Sequence, residues 1–204
     1  MEGAKGASVI KLMNPITQFF EDVRDDLSRY LTDGKPSFPR FVYKYLTNSG
    51  FAGLYTYRFA KMLRSLGLRV IPHMILSRHH IEISLKARIE GGFLLAHPVG
   101  TVIVAGTTIK RGAAVMQGVT LGTRLKPGTF APFKGAPALE EDSVVFAGAQ
   151  VFGPVTIGKR GRVAANALVF FDVPEGMTAI GNPARIVKTL PADMIPEGKA
   201  ESRR

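Results

Sequence analysis

A period of six residues is the feature that most constrains how this 204-residue chain can fold. From residue 139 onward an aliphatic side chain recurs at every sixth position, and a small or β-branched residue follows four positions after each. An α-helix repeats about every 3.6 residues and a strand about every two, so neither explains this period. The aliphatic positions are Leu139, Val145, Val151, Ile157, Val163 and Val169.

The same period continues upstream and predicts a parallel β-helix. In such a fold each six-residue unit is a short strand with a turn, and three units close one triangular coil. Coils stack at the strand spacing of about 4.8 Å, with aliphatic side chains inside and small residues at the corners. No coil can bury its inner face alone, so the units must form an array. The upstream positions are Ile103, Ile109, Val115 and Leu121, with a companion series of Ile83, Ile89 and Leu95.

The array has a helical segment before it and one interruption within it. Asn14 followed by Pro15 is typical of a helix start, and apolar residues then recur at helical spacing. We therefore predict a helical segment over 14–80 and a β-helix over 81–188. An excursion at 122–138 is rich in Gly, Pro and Lys and cannot stack as a coil. We expect residues 1–13 to be flexible and residues 189–204 to form a polar tail.

Composition excludes several classes of protein. The chain has no cysteine, which excludes disulfides, thiolate metal sites and a cysteine nucleophile, and fits a cytoplasmic location. No apolar run reaches the roughly 18 residues of a membrane span. The net charge of +11 allows contact with an anionic membrane surface or a phosphorylated ligand. Nucleic acid is not expected as a partner, because no recognition motif accompanies the charge.

Several motifs in a fixed order resemble the hexapeptide-repeat acyltransferases. More narrowly, the chain resembles the serine acetyltransferase branch and its polysaccharide O-acetyltransferase relatives. The resemblance implies a left-handed β-helix, a homotrimer, acetyl-coenzyme A as donor, and direct transfer to a hydroxyl with neither an acyl-enzyme nor a metal. The motifs are FFEDVRDDLSRY, GFAGLYTYRFAKML, IEISLKARI, LLAHPVGTVI, VTLG (119–122), AGAQVFG (147–153) and AIGNPARIVK.

His97, within LLAHPVGTVI, is the candidate general base. A neutral imidazole near pH 7 can accept the proton of an attacking hydroxyl. From pattern alone His97 is equally a corner residue bonded to backbone, and the resemblance favours catalysis. Glu82 stands one coil earlier, where the serine enzymes carry an aspartate, and we predict that it orients the imidazole. The alternative for Glu82 is an exposed residue at the helix-to-coil junction.

The resemblance also implies a coenzyme A groove along the edge between adjacent β-helices. Two of its residues are alanines, which would act through the backbone and through their small size. Three are cations suited to phosphates, although a solvated corner charge is an equal alternative for each. The matching positions are Thr123, Ala147, Arg162, Ala165, Arg185 and Lys188.

Departures from the serine enzymes shape the predicted acceptor. Ala96 stands where that family has an aspartate, and Gly135-Ala136 stand where it has an Arg-His pair. Asp33 matches the family's acidic residue after the first helix only with a small insertion. Free serine would then lack partners for its two charges, so we predict a saccharide of surface-polysaccharide biosynthesis as acceptor. Serine O-acetylation in cysteine biosynthesis is the alternative.

The excursion at 122–138 is predicted to help bind the acceptor. In trimers of this family a loop at this point reaches towards the neighbouring subunit, and long loops in compact arrays usually serve function. Phe130 and Phe133 could anchor it. Arg124, Lys126 and Lys134 would meet a negatively charged acceptor.

Three other functions are compatible with a β-helix. A carbonic-anhydrase-like zinc trimer needs three histidines, and only His97 lies within the repeats. A non-catalytic scaffold would bind no coenzyme A. N-acetylation of an amino sugar would use the same donor with a different nucleophile.

Overall fold

The computed structural model describes residues 14–68, 70–76, 82–129, 131 and 134–188. Within these residues four helices precede fifteen short strands. The helices are α1 (Pro15–Arg29), α2 (Phe38–Thr47), α3 (Ser49–Ser65) and α4 (Ile71–Leu76). The predictions for residues 1–13 and 189–204, and the proposed anchors Phe130 and Phe133, lie outside the described residues.

The strands form three parallel sheets, and the chain passes from sheet to sheet at three corners. Sheet 1 contains β1 (Glu82–Ile83), β4 (Val102–Ile103), β7 (Thr120–Gly122), β10 (Gln150–Phe152) and β13 (Leu168–Val169). Sheet 2 contains β2 (Arg88–Ile89), β5 (Thr108–Ile109), β8 (Ala138–Leu139) and β11 (Thr156–Ile157). Sheet 3 contains β3 (Leu94–Leu95), β6 (Ala114–Val115), β9 (Val144–Val145), β12 (Arg162–Val163), β14 (Met177–Ile180) and β15 (Arg185–Lys188). Among the strands that the structure describes, only β15 pairs antiparallel, and it closes sheet 3 against β14.

The predicted inner column is confirmed. Every aliphatic position of the six-residue series from Leu139 to Val169 is fully buried, and so are the small residues at the corners, such as Ser143 and Ala149. Each sheet contributes one aliphatic side chain per coil, which pairs in register with its counterpart above, as Leu121 does with Val151. The period of six therefore has the physical origin expected of it, because it places one residue per side inside a triangular prism.

Helix α3 joins the helical segment to the first coil. Leu54, Tyr57 and Ala60 are fully buried in the same core as the β-helix column. Its other side packs on α1 and α2 through a second, aromatic core that includes Phe19 and Phe51. Helix α1 begins where the sequence predicts it, because the Asn14 side chain accepts a hydrogen bond from the Ile16 amide at 2.9 Å.

A buried ion pair ties α1 and α3 to the β-helix. The Arg58 guanidinium donates to the Asp26 carboxylate and to the backbone carbonyls of Ile89 and Glu90. Asp26 also accepts from the amides of Gly92 and Phe93. Burial by itself would lower the pKa of Arg58, but the Asp26 carboxylate raises it above its usual value, so the guanidinium stays charged.

None of the helices in the described part of the chain is both long enough and apolar enough to cross a membrane.

Candidate active site

The candidate site is built at the corner where the chain passes from sheet 3 to sheet 1. Four successive turns stack there, at residues 96–101, 116–119, 146–149 and 164–167. Backbone hydrogen bonds join them, since the Gly118 amide donates to the Val99 carbonyl at 3.0 Å and the Asn166 amide to the Ala147 carbonyl at 2.9 Å. The predicted residues His97, Ala147 and Ala165 therefore share one column of turns.

His97 lies in an enlarged turn at the start of this column. Ile83 pairs with Ile103, twenty positions on, whereas Ile103 pairs with Leu121, eighteen positions on. The two extra residues fall between Leu95 and Ile103. His97 is six positions before Ile103, but because of these extra residues it does not take the inward position that the period of six would assign to it. It is exposed, with a φ of 51°, and Leu95 fills the inward position instead. An outward imidazole in this conformation is available to a substrate.

Two hydrogen bonds donated by Thr101 hold the enlarged turn. The Thr101 amide donates to the Pro98 carbonyl at 3.0 Å, which closes the turn. The buried Thr101 hydroxyl donates to the Met116 carbonyl at 3.1 Å, which ties the turn to the next coil. The sequence interpretation did not single out Thr101. Its signal was only a hydroxyl residue at a corner that other coils fill with apolar or small residues.

Glu82 is bound to the same turn. It begins β1, and its amide donates to the Thr101 carbonyl at 3.0 Å. Its side chain is exposed, and among the described residues no hydrogen bond joins it to His97. The structure thus places Glu82 beside the His97 turn, while its predicted role as the orienting carboxylate stays a prediction.

The helical segment supports this turn from its outer side. The Tyr30 phenol donates to the Leu95 carbonyl at 2.9 Å and accepts from the Leu95 amide at 3.0 Å. Burial raises the pKa of Tyr30, so the phenol remains neutral. A Cβ at Gly50 would clash with the Leu95 carbonyl, so only glycine allows α3 to approach β3 this closely. In the sequence Tyr30 stands out only as the last residue of the motif FFEDVRDDLSRY, which gives no signal of this contact.

The excursion leaves the array at a different corner from His97. It begins after β7, where the chain passes from sheet 1 to sheet 2, and Thr123 lies there too. The guanidinium carbon of Arg124 lies 5.4 Å from the centre of the Phe170 ring, on the flank of its own β-helix. Lys126 forms a turn in which its amide donates to the Ala131 carbonyl at 2.9 Å. Within one chain the structure does not bring Arg124, Lys126 and Lys134 to His97.

The three predicted phosphate-binding cations are exposed on sheet 3. Arg162 pairs in register with Thr178, and Arg185 pairs with Ile180 on the same sheet. Side chains alternate along β15, so Arg185 lies on the same face as Val187, which pairs with Thr178. Arg162 also pairs with Thr178, so both arginines lie on the outer face of sheet 3. Lys188 ends β15 on the alternate side. In the part of the chain that the structure describes, none of the three forms an ion pair, which leaves them free for an anionic ligand.

No group of three His, Asp or Glu side chains that could hold a metal ion occurs among the described residues.

Comparisons with known proteins give these residues a context. No protein-family profile matches the chain. The serine acetyltransferase of Bacillus licheniformis is 32% identical over 174 residues, which cover 83% of this chain and 78% of that protein. The serine acetyltransferase of Bacillus subtilis is 31% identical, with 83% and 77% of the two chains covered. This chain belongs to the serine acetyltransferase family.

Solved structures of this family have the same fold. The serine acetyltransferase of Neisseria gonorrhoeae matches with a TM-score of 0.73 and 26% identity over 90% of this chain and 73% of that one. A serine acetyltransferase in complex with CoA matches with a TM-score of 0.70 and 25% identity over 84% and 70% of the two chains. The predicted family, the left-handed β-helix with helices before it, and the acetyltransferase class are confirmed. The CoA complex supports the predicted donor.

The comparisons do not support the predicted saccharide acceptor. These relatives are named for serine, so they favour the alternative of serine acetylation over the saccharide that the substituted positions had suggested. The reason is that 174 aligned residues carry more information on family than the three acceptor-site positions Ala96, Gly135 and Ala136.

Proposed function

We propose that this family member transfers the acetyl group of acetyl-coenzyme A to the hydroxyl of L-serine. The observation that carries the proposal is the match to serine acetyltransferases over 83% of the chain, a span that includes the exposed His97. His97 takes the proton from the serine hydroxyl as its oxygen attacks the thioester carbonyl. The tetrahedral intermediate then expels the coenzyme A thiolate, which the imidazolium can protonate.

The proposal assigns each part of the corner column a task. Glu82 accepts a hydrogen bond from the second nitrogen of the His97 ring and stabilises the imidazolium. Ala147 and Ala165 keep the column of turns narrow, so that the pantetheine arm can lie along it and meet backbone groups. Thr123, at the corner between sheet 1 and sheet 2, is the remaining residue proposed to line the coenzyme A groove. Arg162, Arg185 and Lys188 hold the phosphates of the donor, because they are exposed and unpaired within the described residues.

The proposed assembly is a homotrimer. His97 and the excursion lie at the two opposite edges of sheet 1, so one chain cannot bring them together. In a closed three-fold ring, the excursion of one chain lies against the His97 turn of its neighbour, and Arg124, Lys126 and Lys134 then border the acceptor site. Light scattering should give three times the mass of one chain. A stable monomer with full activity would contradict this assembly.

A saccharide hydroxyl is the second candidate acceptor, and one observation favours it. A Cβ at Gly135 would lie 2.7 Å from the Pro154 Cβ, so the end of the excursion packs too tightly for a larger residue without a shift. Ala96 and Ala136 are half-buried and uncharged. Ala96, Gly135 and Ala136 stand where the serine enzymes hold the charged groups of their acceptor, and these three positions present no charge here.

The deciding experiment is a comparison of acceptors. Coenzyme A release is measured with L-serine, homoserine, nucleotide sugars and oligosaccharides, with the His97→Asn variant as the background control. The proposal expects O-acetylserine by mass spectrometry and the highest kcat/KM for L-serine. If a saccharide reacts and serine does not exceed the background, the second candidate replaces the first.

A further inference from the structure

A charged cleft lies between the C-terminal end of α1 and helix α2. Its volume is about 310 Å³, and none of its lining residues belongs to the corner column described above. Three of its six lining residues carry charge, and two of these are cations. The lining residues are Tyr30, Leu31, Thr32, Asp33, Arg40 and Lys44.

The cleft borders the segment that carries His97. Tyr30 lines it, and the same phenol makes both hydrogen bonds to the Leu95 backbone. Leu95 is two residues before His97, a reach of about 7 Å in extended chain. The cleft and the segment that carries His97 are therefore joined through the Tyr30 side chain.

Asp33 orients the Arg40 guanidinium within the cleft. The Arg40 Nη1 donates to the two Asp33 oxygens at 2.6 and 2.7 Å and to the Lys35 carbonyl at 3.0 Å. Hydrogen bonding to Arg40 lowers the pKa of Asp33, so the pair stays ionised. Every bond that Arg40 makes to a described residue uses Nη1, which leaves Nη2 and Nε as free donors.

Lys44 adds a second cation with unused donors. It lies on α2 four positions after Arg40, so the two side chains share one face of the helix. Its side chain is half-buried, and within the described residues its ammonium has neither an ion pair nor a hydrogen bond. The cleft thus holds one carboxylate that is already paired and two cations with spare hydrogen-bonding capacity.

We propose that Arg40 and Lys44 bind the carboxylate of the acceptor while its hydroxyl faces His97. This inference rests on the proposed function and names residues for it. A guanidinium held at one nitrogen can still offer Nη2 and Nε as a fork to a carboxylate, and Lys44 adds a point charge. The cleft thereby supplies the positive charge that Gly135 and Ala136 do not provide.

The test compares two acceptors that differ only in the carboxylate, L-serine and L-serinamide. For the variant Arg40→Met, the ratio of kcat/KM for L-serine to that for L-serinamide should fall by roughly 10- to 100-fold, the range for a lost charged hydrogen bond. Lys44→Met should lower this ratio less than Arg40→Met does, and Arg40→Lys should keep part of the wild-type ratio. The matched control is Arg24→Met on the exposed side of α1, which should leave the ratio unchanged.

The outcomes separate this inference from the proposed function. If the wild type acetylates serine and Arg40→Met leaves the ratio unchanged, the carboxylate site is refuted and the proposed function stands. If the wild type does not acetylate serine, the proposed function fails, and the same variants are measured with a hexuronic acid and the corresponding hexose. A selective loss for the hexuronic acid then supports the site, and equal effects on both sugars refute it. Should Arg40→Met fail to fold, Arg40→Lys and Lys44→Met decide on the same ratio.

Discussion

Arg58 Nε and Asp26 Oδ2 lie 2.8 Å apart, and only 1% of either side chain is exposed. This pair is the centre of the junction between the helical segment and the first coil, because Arg58 also binds two β-helix carbonyls and Asp26 two β-helix amides. The contact orders α1 and α3 against the turn between β2 and β3, which precedes the strand that leads to His97.

The first prediction concerns this pair. Arg58→Met should lower the free energy of unfolding by about 3–5 kcal/mol, because it leaves a buried carboxylate without its cation. Arg24→Met is the control, since Arg24 pairs with Asp25 at 3.6 Å with 67% of its side chain exposed, and it should cost less than about 1 kcal/mol. Urea denaturation measures both. Equal, small losses in the two variants would show that the buried pair contributes little.

The second prediction concerns catalysis. His97→Asn should lower kcat by about 10²- to 10⁴-fold, the range for a lost general base, with little effect on stability because the side chain is exposed. Glu82→Gln should cost less, since it removes a partner of the base. Steady-state kinetics with saturating acetyl-coenzyme A test both variants. Retention of full activity by His97→Asn would remove His97 from the mechanism.

The third prediction concerns the donor. The double variant Arg162→Met and Arg185→Met should raise the KM for acetyl-coenzyme A by roughly 10- to 100-fold, because each arginine offers a charged hydrogen bond to a phosphate. The KM for a dephospho-coenzyme A thioester should rise less in the same double variant. Such a difference would show that the phosphate missing from this thioester is the one that the arginines bind. Arg88→Met, an exposed arginine on sheet 2, is the matched control. An unchanged KM would mean that the two arginines only face solvent.

The fourth prediction is a pH dependence of stability at Lys61. Burial lowers the pKa of Lys61, so the unfolded chain holds this proton more tightly than the folded one. Stability should therefore rise with pH as the folded group and then the unfolded group titrate, up to about pH 10. Lys61→Met should remove this rise and should be as stable as the wild type or slightly more stable at pH 7.

One contact makes that substitution informative. The Ala87 carbonyl accepts from Lys61 at 3.2 Å and from the Tyr57 phenol at 3.0 Å, so it keeps a partner in the variant. Thermal unfolding between pH 7 and 10 measures the difference. A wild type and a variant with parallel pH profiles would show that Lys61 does not carry the effect.

Much of the fold followed from the sequence. The period of six predicted the β-helix correctly because one residue per side of each coil must be apolar, and this requirement is visible along the chain as Val145, Val151 and Ile157. The resemblance predicted the family correctly, and the catalytic role that it implies for His97 stays a prediction. The acceptor was harder to predict, because three substituted positions, Ala96, Gly135 and Ala136, outweighed the match over the rest of the chain.

Local order along the chain was therefore determined by the sequence itself, through side-chain period, helix starts and the break at 122–138. The tertiary structure alone decided that His97 points outward, that Tyr30 holds Leu95, and that Arg40 and Lys44 share a cleft with Tyr30. Tyr30 and Leu95 are 65 positions apart. No spacing rule relates such residues, because their contact depends on how the helices pack against the first coil.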